Sequence, residues 1–166
     1  MKKKYLLVIV CCLLFISGYA QPGADTMPYR KYPAVPAFRI LMLDSSTIFN
    51  TYDIKEGHPI LFMFFGADCD HCEKLTEAIT EHMDSLKHVQ ICLLTLSPMA
   101  STRAFYQKLD LKRFKNIMVG KDMDFFFPKF YKAYYVPFLA IYDRKKQLVR
   151  VFVGGGKISD IIKAVQ

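Results

Sequence analysis

The sequence contains no tryptophan, and its longest uninterrupted apolar run spans only 12 residues, 5–16. That run is shorter than the roughly 18 apolar residues that indicate a membrane-spanning helix. Charged residues make up only 23% of the chain, against 52% hydrophobic and 14% aromatic residues, which excludes a disordered chain or a low-complexity fibre. The 166 residues are enough for one domain with a sizeable core, because single domains cluster at roughly 100–150 residues.

The first twenty residues have the three parts of a secretory signal peptide. Residues 2–4 are lysines, the apolar run of residues 5–16 follows, and Gly18 and Ala20 are small residues of the kind that a signal peptidase recognises. We therefore predict that residues 1–20 are removed on export, into the periplasm or another extracytoplasmic space. The alternative is an uncleaved segment that anchors the protein to a membrane.

The positive charge of the chain does not indicate nucleic-acid binding. The three lysines at 2–4 contribute to the formal net charge of +8, and without residues 1–20 the chain keeps 20 basic and 15 acidic side chains, about +5. No basic cluster of 5–8 residues is left. We therefore expect no nucleic-acid partner.

Cysteines are few, and their placement indicates a functional pair instead of a disulfide scaffold. Cys11 and Cys12 lie in the predicted signal, which leaves Cys69, Cys72 and Cys92. A scaffold would spread several cysteines along a short chain. Cys92 lies inside an apolar stretch, where we expect a buried and unreactive thiol.

Hydrophobic periodicity predicts an α/β domain over residues 37–166, preceded by a proline-rich arm at 21–36. Its order of strands and helices favours a mixed sheet flanked by helices. The predicted elements are a hairpin at 37–43 and 47–50, a buried strand at 60–65, an amphipathic helix at 70–86, a buried strand at 89–96, a helix at 101–109 capped by Ser101, a short strand at 116–119, a helix beginning near Pro128, a hairpin at 138–142 and 148–153, and a closing helix at 158–165.

The strongest chemical signal is Cys69-Asp70-His71-Cys72, at the junction of a buried strand and an amphipathic helix. A spacing of three places both sulfurs on the first helical turn, close enough to form a disulfide. Cys69 then faces the free N–H groups and the positive end of the helix dipole, which stabilise a thiolate. A protonated His71 adds positive charge, whereas Asp68 and Asp70 oppose the thiolate, so the motif does not rank the pair as oxidant or reductant.

Three stretches of the chain together resemble one known superfamily. They are residues 64–72 after the buried strand, Val136-Pro137 before the strand at 138–142, and the strand at 148–153 before the last helix. In these stretches the sequence resembles the thioredoxin superfamily, and within it the exported TlpA-like thiol–disulfide oxidoreductases. The resemblance covers about residues 33–165.

The resemblance implies a thioredoxin-like fold, in which helices flank a mixed central sheet. An N-terminal hairpin extends the sheet, and an insertion, here residues 99–119, separates the redox motif from a proline loop. Family members have a cis proline against the cysteine pair, which corresponds to Pro137. The residue before it, Val136, is implied to offer backbone groups to a bound peptide.

The resemblance also implies the function, an extracytoplasmic thiol–disulfide oxidoreductase that favours reduction of protein clients. Cys69 would attack a client disulfide and Cys72 would resolve the mixed disulfide, supported by Asp70 and His71. Neither an organic cofactor nor a metal is required. A further redox partner must recharge the pair, and membrane contact is expected only if the N-terminal segment is uncleaved.

Two other functions stay open. Cys69, Cys72 and a histidine could hold a soft ion such as Cu(I), as in Sco-like proteins, although those have three residues between the cysteines. The fold could also serve as a redox-silent adaptor that binds peptides. A peroxidase is not expected, because Gly66 stands where a peroxidatic cysteine has threonine or serine three residues before it.

Three positions depart from the family pattern. Asp68 stands where thioredoxins have tryptophan, Met63 where thioredoxin has a buried carboxylate, and Leu75 where some TlpA-like reductases have glutamate. The sequence therefore predicts no general base for Cys72. The aromatic-rich stretch at 125–135 has two interpretations, of which core packing is favoured over a client-binding surface.

We predict that the mature protein begins at Gln21. Intact-mass analysis of the protein recovered from its native host checks this, because removal of residues 1–20 leaves a chain of 146 residues. A mass that still includes the lysines at 2–4 would contradict cleavage and support the membrane anchor.

Overall fold

The computed structural model describes residues 27–166, so the predicted signal peptide lies outside the described residues. Seven strands form a single mixed sheet in the described part of the chain. They are β1 (Arg39–Met42), β2 (Ile48–Asn50), β3 (Ile60–Phe65), β4 (Gln90–Thr95), β5 (Ile117–Asp122), β6 (Phe138–Tyr142) and β7 (Leu148–Val153). Their order across the sheet is β2-β1-β5-β4-β3-β6-β7. The strands β3, β4 and β5 run parallel, and the other neighbouring pairs are antiparallel, which confirms the predicted mixed sheet.

Helices cover both faces of this sheet. They are α1 (Pro28–Lys31), α2 (Asp70–Glu81), α3 (Met83–Leu86), α4 (Met99–Lys108), α5 (Phe126–Tyr131) and α6 (Ile158–Ala164), with 3₁₀ turns at Thr51–Asp53 and Leu111–Arg113. The insertion expected at 99–119 contains α4, the second 3₁₀ turn and the start of β5. No helix within residues 27–166 is long and apolar enough to cross a membrane.

Strand β3 divides the core into two clusters, because its side chains alternate between the faces of the sheet. Leu61, Met63 and Phe65 join the cluster under α2, α4 and α6. Phe62 and Phe64 join the cluster that α1 and α5 cover. Every β3 side chain is at most 6% exposed. Burial of each such side chain contributes about 1.5–3 kcal/mol, so this continuous apolar strand stabilises both layers.

Several element ends differ from the sequence prediction for local reasons. The cap predicted at Ser101 is wrong, because α4 begins at Met99 after Pro98 and has no side-chain cap. The helix expected at 70–86 is divided at His82, whose N–H still bonds to the Ala78 carbonyl while its own backbone leaves the helical conformation. Helix α5 begins two residues before Pro128. Proline has no N–H, and in the first turn of a helix no hydrogen bond is lost by this.

The proline-rich arm is ordered where the structure describes it. Its helix α1 buries Tyr29, whose ring stacks on Tyr131 of α5 at 5.7 Å between centroids. Ala34 then forms a β-bridge with Gln147 in the turn before β7. Residues 27–36 therefore pack on the domain and are not a free tether.

Gly120 of β5 lies opposite Met42 of β1 in the antiparallel pair. A Cβ at this position would lie 2.4 Å from Ile40 Cγ2 and 2.8 Å from the Leu41 carbonyl oxygen. The second of these atoms is backbone and is held by strand pairing, so it cannot move aside as a flexible side chain would. The antiparallel join between the hairpin and the parallel strands therefore needs glycine here.

We predict that Gly120→Ala lowers the free energy of unfolding by about 1–3 kcal/mol, the usual effect of overpacking. Urea denaturation followed by circular dichroism measures the loss. The neighbouring Lys121→Ala, which meets no such contact, is expected to change stability by less than about 0.5 kcal/mol. Equal stability of Gly120→Ala and the native chain would show that β1 can separate from β5 without cost.

Candidate active site

The cysteine pair lies at the carboxyl end of β3, where the chain enters α2. Four residues, 66–69, connect the two elements, and the Cys69 N–H closes this turn by donating to the Gly66 carbonyl at 3.3 Å. The segment that follows the neighbouring parallel strand β4 supports the turn, because the Ala67 N–H donates to Ser97 Oγ at 3.0 Å. Carboxyl ends of parallel strands are a usual place for a functional site.

Cys69 and Cys72 form a disulfide, with their Cα atoms 5.2 Å apart. Cys69 is half-buried, and Cys72 is fully buried. Cys69 is the N-cap residue of α2, and its Sγ accepts the Cys72 N–H at 3.1 Å. The sulfur thus occupies the position in which a capping oxygen satisfies a free helix N–H. A thiolate at Cys69 would keep this bond and gain from the helix dipole.

The proline loop packs against the cysteine turn, as the resemblance implies. The Val136–Pro137 peptide bond is cis, which confirms that prediction. A Cβ added to Gly66 would lie 3.4 Å from Cys69 Cβ and 3.8 Å from Val136 Cγ2. Val136 and Cys69 therefore both lie beside Gly66. The roles predicted for Val136 and Pro137 stay predictions.

A shallow groove of about 280 Å³ runs beside the disulfide on the α2 face. Its lining includes the exposed His71, Pro137 and the glycines at 154–156. Pro137 is itself buried, and Gly155 packs closely against it, since a Cβ on Gly155 would approach Pro137 Cγ to 3.2 Å. Asp70 is also exposed, at the first position of α2.

The wall behind Cys72 is apolar at both positions where family members have an acid. Met63 is fully buried under α2, and Leu75 is 9% exposed within the same cluster. Thr76 turns its hydroxyl to the Cys72 carbonyl, donating at 2.8 Å. The expectation that these two positions supply no general base is consistent with their packing.

A charged contact beside the motif could not be predicted from the sequence. Glu73, directly after Cys72, pairs with Lys108 of α4 at 2.6 Å, and this contact raises the pKa of Lys108. The two residues are 35 positions apart and share no periodic pattern, so only the packing of α4 against α2 brings them together. The pair joins the insertion to α2.

Cys92 lies in β4 on the other face of the sheet from Cys72. It is 3% exposed, and burial raises the pKa of its thiol to about 12. The prediction of a buried thiol is confirmed. The sheet itself separates this thiol from the pair.

Metal-binding side chains do not gather in the described part of the chain. Across residues 27–166, no group of three or more His, Cys, Asp or Glu side chains has an arrangement that could hold an ion. The soft-metal alternative therefore has the two cysteines but no third ligand placed beside them.

Comparisons with known proteins agree with this geometry. No family model matches the sequence, and no curated protein matches it. Among solved structures, one similar to the chain is a secreted Mycobacterium tuberculosis disulfide oxidoreductase homologous to E. coli DsbE, at TM-score 0.63 and 15% identity over 86% of this chain and 98% of that one. The chain has a thioredoxin-like fold.

Two further structures extend the comparison. The exposed lipoprotein thioredoxin Etrx1 of Streptococcus pneumoniae has TM-score 0.61 and 19% identity, covering 78% of this chain and 98% of its own. A peroxiredoxin-like protein from Aquifex aeolicus has TM-score 0.65 and 12% identity, covering 80% and 83%. Identities this low concern the thioredoxin-like fold alone, and membership of the TlpA-like branch stays a prediction.

We predict the order Cys69, Cys72, Cys92 for alkylation of the reduced protein at neutral pH. Cys69 is partly accessible at the helix start, Cys72 is covered, and Cys92 combines burial with a pKa of about 12. Peptide mass mapping after brief exposure to iodoacetamide measures the three rates. Faster labelling of Cys72 than of Cys69 would reverse the roles assigned to the pair.

Proposed function

We propose that the protein is an extracytoplasmic thiol–disulfide oxidoreductase that reduces disulfides of protein clients through Cys69 and Cys72. The observation that carries this proposal is the disulfide at the start of α2, with the Cys69 sulfur bonded to a helix N–H and the proline loop beside it. Two cysteines with different accessibility suit two different steps of one exchange.

In the first step the Cys69 thiolate attacks one sulfur of the client disulfide. The client S–S bond breaks, a bond forms between Cys69 and that sulfur, and the other client sulfur leaves as a thiolate that takes a proton from water. Cys72, as thiolate, then attacks Cys69 Sγ. This forms the Cys69–Cys72 disulfide and releases the second client thiolate.

The exchange transfers two electrons from the protein to the client and leaves the pair oxidised. A thiol reductant must supply two electrons to the pair before the next cycle, and its identity is open. The proton of Cys72 has no identified acceptor beside it, since Met63 and Leu75 form the adjoining wall. We propose water as that acceptor.

The proposed direction, reduction, rests on the resemblance to TlpA-like oxidoreductases, because the flanking charges act in opposite senses. Asp68 and Asp70 are both exposed beside Cys69, and their negative charge disfavours the thiolate and hence the reduced pair. A less stable reduced state is a stronger electron donor. His71 acts in the opposite sense when it is protonated.

The proposed compartment depends on two supports. One is the signal peptide predicted at residues 1–20, and the other is the likeness to a secreted oxidoreductase and an exposed lipoprotein thioredoxin. Those locations belong to the two similar proteins, and we extend them to this chain because its own N-terminal sequence points to export.

We predict that Cys69→Ser abolishes reduction of a disulfide-bonded model protein, because the attacking sulfur is lost. Cys72→Ser is expected to accumulate a covalent mixed disulfide with the client, since the first step still occurs and the second cannot. Non-reducing gel electrophoresis and mass spectrometry detect the trapped species.

Cys92→Ser is the matched control, and its activity is expected to equal that of the native chain. Exchange that survives in Cys69→Ser would contradict the proposal. The direction is tested by equilibrating the native pair with glutathione, where a potential near that of thioredoxin, about −270 mV, supports reduction, and one near −120 mV indicates an oxidant.

A further inference from the structure

A second cavity, of about 380 Å³, opens on the α5 side of the sheet, next to the proline loop. We call it the aromatic pocket. Phe64 and Leu96, near the carboxyl ends of β3 and β4, form part of its apolar wall, and Pro128 and Ala133 complete that wall. The remaining lining residues are Phe125, Lys129, Lys132 and Tyr134. A volume in the range of about 300–1,000 Å³ is typical of ligand sites.

The aromatic pocket joins a buried base to exposed aromatic side chains. Phe64 is 6% exposed and stacks on Phe127 at 5.3 Å, so the base is part of the core. Phe125 is 50% exposed and Tyr134 is 76% exposed. The sequence stretch at 125–135 is therefore divided, because Phe127 and Tyr131 pack in the core while Phe125 and Tyr134 face solvent. Exposed aromatics around an apolar cavity indicate an interaction site.

The backbone holds these exposed side chains in place. Phe125 and Lys132, at the two ends of α5, have left-handed φ angles of 54° and 53°, and both line the aromatic pocket. The buried carboxylate of Asp122 accepts the N–H of Phe127 at 2.7 Å and that of Asp124 at 3.1 Å, which fixes the turn before α5. Non-glycine residues held at such angles are uncommon and concentrate at functional sites.

The aromatic pocket is a short distance along the chain from the exchange site. Tyr134 precedes Val136 by two residues, a span of at most roughly 7 Å, and Val136 and Cys69 both lie beside Gly66. A client segment whose cysteine reaches Cys69 and that follows the proline loop can therefore place a side chain a few positions away in this cavity.

The charged residues of the aromatic pocket indicate which residues would flank a client side chain bound there. Lys129 and Lys132 are among its lining residues, and the Lys129 ammonium lies 5.7 Å from the centre of the Phe125 ring. The nearby acid Asp124 is already paired with Arg39 at 2.8 Å. Positive charge therefore dominates here and complements a negatively charged segment.

We propose that the aromatic pocket binds an aromatic side chain, flanked by acidic residues, in the client segment next to the reactive cysteine. This inference rests on the proposed function and names its substrate class. Apolar walls and exposed rings would bury the client's ring, and the lysines would pair with the flanking acids. The aromatic pocket lies across the proline loop from the groove at His71, so it would select clients by a contact outside that groove.

The missing tryptophan of this chain provides the test. A short peptide with one tryptophan, two acidic neighbours and serine in place of the client cysteine is titrated with the oxidised protein, and only the peptide fluoresces on excitation at 295 nm. The fluorescence anisotropy of this peptide is expected to rise with protein concentration and to saturate. Two control peptides are expected to bind at least tenfold more weakly. One has lysines in place of the two acids. The other has alanine in place of tryptophan, and its binding is measured by competition with the fluorescent peptide.

Variants of the protein locate the contact. Phe125→Ala and Tyr134→Ala are each expected to weaken binding roughly tenfold, through loss of one aromatic contact. Tyr52→Ala is the matched control, since Tyr52 is 77% exposed but does not line the aromatic pocket. Lys129→Glu is expected to weaken binding at low salt and to matter less at 0.5 M salt, whereas Lys145→Glu, which lies outside the aromatic pocket, changes nothing.

Equal binding of the tryptophan and alanine peptides, or unchanged binding by both Phe125→Ala and Tyr134→Ala, would overturn the inference. A concentration-dependent dimer that Phe125→Ala abolishes would also overturn it, by assigning the aromatic pocket to a second copy of the chain. Exchange with oxidised glutathione is measured separately on the reduced native protein. If the protein exchanges with glutathione but does not prefer the tryptophan peptide, this inference alone is overturned. If it prefers the tryptophan peptide but does not exchange with glutathione, the proposed function is overturned.

Discussion

The bond from the Cys72 N–H to the Cys69 sulfur is the contact on which the chemistry of this fold depends. It makes the nucleophile candidate part of the helix end, so that the position of the sulfur is set by the same geometry that starts α2. That geometry depends in turn on β3, whose six buried residues fix the direction in which the chain leaves the sheet. A strand with one polar face could shift or tilt, and the sulfur would lose its N–H partner.

The sequence was informative wherever one strong pattern decided the local structure. Continuous apolar runs located β3 and β4, three- and four-residue spacing located α2, and the cysteine spacing located the site. The hairpins at both ends of the domain were predicted from alternation and turn residues. In each case the burial of an entire face outweighs any local preference, so the pattern and the fold agree.

The remaining features depend on contacts that no window of sequence contains. Helix α4 begins after Pro98 although Ser101 offers a cap, because helix ends are decided by differences of about 1 kcal/mol that packing can exceed. The ion pair between Glu73 and Lys108 requires the insertion to lie against α2. The division of the aromatic stretch also escapes sequence reasoning, since Phe125 leaves the core only because a left-handed turn before α5 directs it outwards.

The position of Cys92 on the far side of the sheet has a consequence for how the protein reaches its native state. While the chain is unfolded, all three cysteines that follow the predicted signal are equally open to oxidants. A bond between Cys92 and either partner would join two residues that belong on opposite faces of the finished sheet, and β4 could not then take its place beside β3. The native disulfide and the native strand order therefore support each other, because once β4 lies beside β3 the sheet separates Cys92 from Cys69 and Cys72.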